Sequence, residues 1–553
     1  MPRQASLAEL LDFGLPGDYR RLEPGSDTLP LGDGGRLVVG DGLLEALARA
    51  VFEEIAFKLP ASVAEGFAAI LADEGASEAE RFVAASLLRN AVIAAEGLLP
   101  LCQDTGTALV YGWKGAQVES GGRDEEALAS GAAAAYAARR LRASQLEPTG
   151  FLAERNTGSN LPVHLDLRAA PGASYRFCFA AKGGGSANRT SLSMESPALL
   201  DEAALEARLA SLVRGLGPSG CPPYRIGLVL GGQAPDEALY VLALATLGLL
   251  DGLPAAPPGR PSDRAADGSA GAAEPAAGLP LRDPAWEERL TRLAAATGVG
   301  AQFGGQRLAL DARAIRLPRH AASLPLAFGV ACAAQRRARA VIDADGVRLE
   351  RLEEDPARLL PADLPALPGA RRVDLDRPLP ELAAFLGSLK PGTPLLLSGT
   401  VVTARDAAHA RFRAELRAGR ALPSYLSRHP VFYAGPTEAA PGQASGSFGP
   451  TTAGRMDGYL DELMERGASL VTIAKGSRSP AAAAAIGSRG GAYLAAMGGA
   501  AALAARENVV SSEIIDHADL GMEAVRRVVL KDLPALLVVD GRGADFYREL
   551  AGS

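Results

Sequence analysis

Apolar residues in the first hundred positions recur at the three- and four-residue spacing of amphipathic helices. The clearest run, Phe82, Val83, Leu87, Leu88, Val92 and Ile93, follows Ser77-x-x-Glu80 and stops before Gly97. A serine with a glutamate three residues on is a capping box, so a helix is predicted from that point and a mainly helical start for the chain. The rhythm then shortens. Residues 107–111 and 226–230 are apolar or β-branched runs of strand length, and each follows a cysteine-bearing turn: Leu101-Cys102-Gln103-Asp104-Thr105-Gly106 and Gly220-Cys221-Pro222-Pro223. Further on, short apolar runs at 395–397, 431–433, 470–473 and 536–539 alternate with helical patterns such as 404–416, the order of an α/β layer.

These patterns predict an α+β N-terminal domain over residues 1–350 and an α/β C-terminal domain over 373–553. A Pro-rich linker, 351–372, joins them. Residues 252–278 are almost all Ala, Pro, Gly, Ser and Asp with scattered Arg, a composition that buries too little apolar surface to offset its ordering entropy. A disordered, dispensable surface insertion is expected there. No repeat of solenoid period is present.

With 553 residues, 48% of them apolar and 22% charged, the chain has material for several cores, which excludes a disordered or fibrous protein. The net charge of −7, without a long basic run, excludes a general nucleic-acid binder, so cations that matter should be gathered locally. No apolar stretch reaches membrane-spanning length, and the N-terminus has acidic residues and no apolar leader core; a cytoplasmic protein is expected. Four cysteines, at 102, 178, 221 and 332, are too few and scattered for a disulfide framework and are expected to be reduced thiols.

Each cysteine has two readings, packing residue or ligand. Cys102 before Gln-Asp-Thr-Gly and Cys221 between a glycine and two prolines sit in stiff turns that suit a ligand; the neighbours of Cys332 do not separate the two readings. The segment Lys182-Gly-Gly-Gly-Ser-Ala-Asn188 is either an anion-binding nest of backbone N–H groups or a flexible turn, and it matches neither a P-loop nor a dinucleotide fingerprint. Ser445-Gly-Ser-Phe-Gly-Pro-Thr-Thr-Ala-Gly-Arg455 is too polar for a core segment and reads as a site loop. In it, Arg455 could clamp a carboxylate and Thr451 or Thr452 could move a proton. His320, one of five histidines, is read either as a hydrogen-bonded structural residue or as a catalyst.

Taken together, LCQDTGTALVYG (101–112), NTGSNLPVHLDL (156–167), AKGGGSAN (181–188), GCPPYRIGLVLGG (220–232), GAQFGG (300–305), RLPRH (316–320), SGSFGPTTAGRMD (445–457) and LGMEAV (520–525) resemble, in order, the segments of class I, iron-dependent fumarases. The resemblance implies a 4Fe-4S cluster on Cys102, Cys221 and Cys332, with one iron left free for substrate, and leaves Cys178 to packing. It implies catalytic roles for Thr451, Asp104 and His320, and substrate contacts from Gln103, Arg142, Gly185, Arg405, Arg455 and Lys475. It further implies a site between the two domains, a small dicarboxylate substrate and a homodimer. Fumarate hydration to (S)-malate is the activity expected; L-tartrate dehydration or mesaconate hydration on the same scaffold, and an iron–sulfur sensor without turnover, are the alternatives. Departures include Ala321 in the usual RHGAS, Leu324 where many members have a further cysteine, Gln335-Arg336-Arg337 for Ala-Asp-Arg, and AKGSRS for AKGNRS.

Overall fold

The predicted capping box forms: Glu80 N donates to Ser77 Oγ at 3.3 Å, and Ser77 N to Glu80 Oε2 at 2.9 Å. The helix Glu78–Ala95 follows, and Gly97 ends it in the left-handed region at φ +79°. Helices Asp41–Ile55 and Ala61–Ala72 precede it, so the chain opens mainly helical, as its periodicity predicts. The computed structural model describes residues 7–14, 16–22, 31–32, 35–255 and 279–552. Among them no helix is long and apolar enough to cross a membrane.

Three sheets carry the fold. The first has six strands in the order Tyr19–Leu22, Gly346–Glu350, Arg337–Asp343, Tyr175–Lys182, Thr107–Gly115 and His164–Ala170. The second orders Ser191–Glu195, Leu324–Ala331, Tyr224–Gly232, Ala309–Arg319 and Leu281–Arg282. Between these two sheets, with the helix Pro235–Thr246, lies an apolar cluster that holds Cys178, Tyr111, Trp113, Val229 and Ala327. Cys178 is wholly buried there, and burial pushes its thiol up to about 12.

The third sheet orders Arg371–Asp374, Pro394–Thr403, Val431–Phe432, Val471–Ala474, Ala492–Ala496, Val525–Val539 and Val509–Asp516. Its first five strands run parallel, and the helices Leu379–Gly387, Asp406–Arg417, Asp457–Glu465 and Pro480–Arg489 alternate with them, as the C-terminal pattern predicts. The long strand Val525–Val539 pairs with both Ala492–Ala496 and Pro394–Thr403, so the sheet closes on itself. Parallel strands place all their C-terminal ends at one edge, where ligands of α/β sheets collect. Arg405, Lys475 and Gly498 lie just past three such ends.

The chain is thus a mixed α/β fold with several sheets. Its largest apolar core contains Leu87, Tyr224 and Leu326 from before the predicted linker and Val401, Phe432, Leu494 and Leu537 from after it. Packing therefore runs across the boundary that composition suggests, and the linker is itself built into the fold: Leu352 bridges Pro60, and Pro356–Leu359 makes a helical turn. Of the predicted insertion, residues 256–278 lie outside the described residues. Its first residues pack: Leu253 is buried, and Ala255 bridges Arg282. A composition window averages that one leucine away.

Candidate active site

The predicted site residues come from widely separated stretches, and backbone contacts draw several of them together. Lys475 N donates to Thr451 O at 3.0 Å, Ala453 N donates to Lys475 O at 2.9 Å, and Thr451 N donates to Tyr433 O at 2.7 Å. The polar loop 445–455 is thereby added alongside the end of the strand Val471–Ala474, with Thr451 and Lys475 side by side. Gln103 ties the first cysteine turn to the same loop, since its Nε2 donates to Pro450 O at 3.0 Å. Ala333 N donates to Cys221 O at 2.9 Å, which locks the second and third cysteine turns together.

Lys475 reaches the cysteines from inside the protein. Its Nζ donates to Cys221 Sγ at 2.8 Å. Burial works to lower the Lys475 pKa, but Cys221, Cys102 and Cys332 together raise it. Arg336 is a second buried cation: burial opposes its charge, Cys102, Cys332 and Asp104 favour it, and Nη1 donates to Asp104 O at 2.6 Å. Burial pushes the Cys102 thiol up to about 12 and raises Cys332 as well, with Cys221 adding to the rise in both. Cys221 holds φ +63°, a left-handed conformation that a non-glycine residue keeps only when its surroundings impose it.

This donor set fits an iron–sulfur cluster. Cysteine thiolates are the soft ligands that such a cluster selects. The two buried cations would offset its negative charge. Space beside Cys221 is kept by Gly498, where a Cβ would collide with Cys221 Sγ and stand 2.9 Å from Lys475 Cδ.

Asp104 is held by the glycine segment. Gly184 N donates to its Oδ2 at 2.8 Å and Gly106 N to its Oδ1 at 3.2 Å. Burial works to raise the Asp104 pKa, yet Arg142, Arg336, the Gly184 N–H and Lys475 outweigh it and keep the carboxyl below its usual range. The segment 182–188 is therefore neither a flexible turn nor an open nest at Gly184: it forms the short helix Gly184–Ala187, and one N–H is already taken by Asp104. Gly185 lies next along, with Lys475 Nζ 3.3 Å from where a Cβ would stand.

Three arginines complete the site. Arg405 caps the N-terminal end of the helix Asp406–Arg417, its side chain is 7% exposed, and its Nε is buried without a hydrogen-bond partner. Burial, with the Arg142 and Arg455 charges, pulls its pKa down to about 10. Arg142 and Arg405 both reach Glu523 Oε1, at 3.0 and 3.4 Å. Arg455 is more open, 42% exposed; it pairs with Asp406 through Nε at 2.9 Å and Nη2 at 2.7 Å, and donates from Nη1 to Thr451 Oγ1 at 3.2 Å. The clamp expected at Arg455 is thus a guanidinium already shared between a carboxylate and the hydroxyl of Thr451.

His320 stands apart. It is exposed on the turn after Ala309–Arg319, and its Nδ1 accepts from Ala322 N at 3.1 Å. Sequence reasoning missed four residues. Glu523 lies in a segment quoted for the resemblance but given no role, Arg336 was noted only as a departure, Asp406 follows the expected Arg405 without a role of its own, and Gly498 has neighbours that carry no chemical signal.

Known protein families match most of the chain. The family described as "Fumarate hydratase (Fumerase)" matches residues 45–341, and "Fumarase C-terminus" matches 346–550. The chain belongs to the class I fumarase family. It is 42% identical over 516 residues to "Fumarate hydratase class I, aerobic" of Escherichia coli K12, covering 93% of this chain and 91% of that one. To "Fumarate hydratase 2" of Leishmania major it is 41% identical over 514 residues, covering 92% and 87%. A weaker match, 27% over 293 residues, is the "Putative L(+)-tartrate dehydratase subunit alpha" of Methanocaldococcus jannaschii, covering 52% of this chain and 93% of that subunit.

Proposed function

We infer that this protein is an iron–sulfur hydro-lyase that adds water reversibly to fumarate, giving (S)-malate, with a 4Fe-4S cluster on Cys102, Cys221 and Cys332. The observation that carries the reading is one chain of contacts, from Cys221 through Lys475 and Thr451 to Arg455, beside the Arg142 and Arg405 pair. The relatives of highest identity above bear the name fumarate hydratase on single chains that this one covers almost whole, whereas the tartrate dehydratase match is a separate subunit.

The residues divide the chemistry as follows. When bound, the cluster would supply a Lewis acid for the substrate's hydroxyl and a carboxylate oxygen. Arg142, Arg405, Arg455 and Lys475, with the Gly185 backbone, hold the two carboxylates and offset the negative charge that grows as a carbon-bound proton leaves. In the dehydration direction Thr451 Oγ takes that proton. The Arg455 N–H bound to Oγ stabilises the alkoxide, the form of the side chain that can accept a proton. Asp104, kept ionised by Arg142 and Arg336, assists, and Gln103 fixes the turn that carries both it and Cys102. His320 is proposed as a second proton handler; because it is exposed on its own turn, it requires another surface against it, and a cytoplasmic homodimer is the assembly we propose.

Anaerobic reconstitution followed by ultraviolet assay of fumarate, mesaconate and tartrate tests the reading. Fumarate turnover well above the other two is expected. Turnover of tartrate without fumarate would replace the substrate, and a bound cluster with no turnover of any of the three would make the protein a sensor.

A further inference from the structure

Glu523 has no role in the chemistry above, yet both of its oxygens are committed at the edge of the site. Oε1 accepts from Arg142 Nη2 at 3.0 Å and lies 3.4 Å from Arg405 Nη2. Oε2 accepts from Ala407 N at 3.2 Å, in the first turn of the helix that Arg405 caps. One carboxylate therefore fixes the tips of two guanidinium groups and the backbone at the stem of one of them. Arg142 comes from the loop after Asp124–Ala138, in the region that carries the cysteines, while Arg405 follows one strand of the closed third sheet and Glu523 precedes another. The tie spans both.

The turn that presents Glu523 is built to a fixed position. Gly521 takes φ +58°. Gly435 then packs beneath both partners: a Cβ there would stand 2.9 Å from Met522 O and 3.2 Å from Arg405 Cδ. Without a shared anion, two guanidinium groups this close repel and separate, the more so because Arg405 is removed from water. Each guanidinium has five N–H donors, and Glu523 uses one tip of each. Donors are left over, including the partnerless Arg405 Nε.

We propose that Glu523 is a positioning residue, a built-in carboxylate that holds Arg142 and Arg405 side by side so that their remaining N–H groups meet one carboxylate of the substrate. The proposal rests on the dicarboxylate reading given above. Glu523 does not touch the substrate, whose like charge it would repel; it acts through the arginines.

The test is Glu523→Gln in the full-length, reconstituted enzyme. An amide has one acceptor oxygen, so whichever way it sits, its NH₂ faces either the guanidinium pair or Ala407 N. KM for fumarate should rise about tenfold or more while kcat stays within about threefold, with iron content and Tm unchanged. In an Arg142→Met background the same change should add less than about twofold, because there is no longer a pair to hold side by side. Glu523→Asp keeps the charge but is one methylene too short to serve both partners, so its KM should fall between wild type and Gln. An unchanged KM, or full additivity with Arg142→Met, overturns the proposal. So does loss of iron and folding in both Gln and Asp, which would make Glu523 a structural tie only. Calorimetric binding of succinate to wild type and variants reads the same contrast without turnover, so a wild-type enzyme inactive on fumarate would refute the functional reading and leave this one decided.

Discussion

Arg405 and Arg455 are both expected from sequence to bind substrate carboxylate, and their surroundings give them different weights. Arg405→Met removes a guanidinium that is 7% exposed and leaves Glu523 facing Arg142 alone. Truncating one partner of a buried, charge-assisted pair costs about 2–5 kcal/mol, which at about 1.4 kcal/mol per decade lowers kcat/KM roughly 30- to 5000-fold. Arg455→Met removes a group 42% exposed whose partner Asp406 is itself 33% exposed, so water replaces part of what is lost. Solvent screening reduces the carboxylate-binding part of that loss to about 1 kcal/mol, roughly fivefold in KM, while loss of the N–H to Thr451 Oγ1 lowers kcat separately. Arg405→Lys should recover little, since a point charge cannot reach Glu523 and substrate in the directions a planar fork does. The assay is the fall in ultraviolet absorbance as the fumarate double bond is consumed, at substrate concentrations spanning KM, on enzyme matched for iron content. If Arg455→Met raises KM as much as Arg405→Met does, burial does not set the ranking and the argument fails.

Three further outcomes are expected. Cys102→Ser, Cys221→Ser and Cys332→Ser should each lose bound iron and sulfide, whereas Cys178→Ser, in the apolar cluster between two sheets, should keep both; iron retained in Cys332→Ser would remove it from the ligand set. Thr451→Ala should lower kcat by about two orders of magnitude with KM little changed, because it deletes a proton carrier and no carboxylate contact; a rise in KM alone would move the base elsewhere. His409, buried against Tyr433 with Nδ1 2.8 Å from Arg405 O, has its pKa pulled down to about 4 by burial. The folded state therefore keeps it neutral while the unfolded chain takes up a proton below about pH 6.5, so stability should be full above that pH and fall by up to roughly 3 kcal/mol as pH drops to about 4. His409→Asn should flatten that part of the curve of thermal stability against pH; an identical curve would show that other groups set it.

Much of this protein is decided locally and so is legible in the chain. The capping box at Ser77 and Glu80, the strand after each cysteine turn and the alternation of strands with helices beyond residue 373 depend on neighbours a few positions apart, and they appear where periodicity puts them. The motif resemblance likewise names Cys102, Cys221, Lys475, Thr451 and Arg455, which the fold brings into contact or close to it. What the sequence could not decide is what long-range contact decides. Closure of the third sheet requires Val525–Val539 to pair with strands from two distant stretches, and a core that runs across the predicted linker has no signature in composition. Burial is equally non-local: the letters of Arg405 and Arg455 are the same, and only packing leaves one dry and the other wet. Glu523 gains its meaning from two arginines hundreds of positions apart in the chain, at a place in space that no spacing along the sequence records.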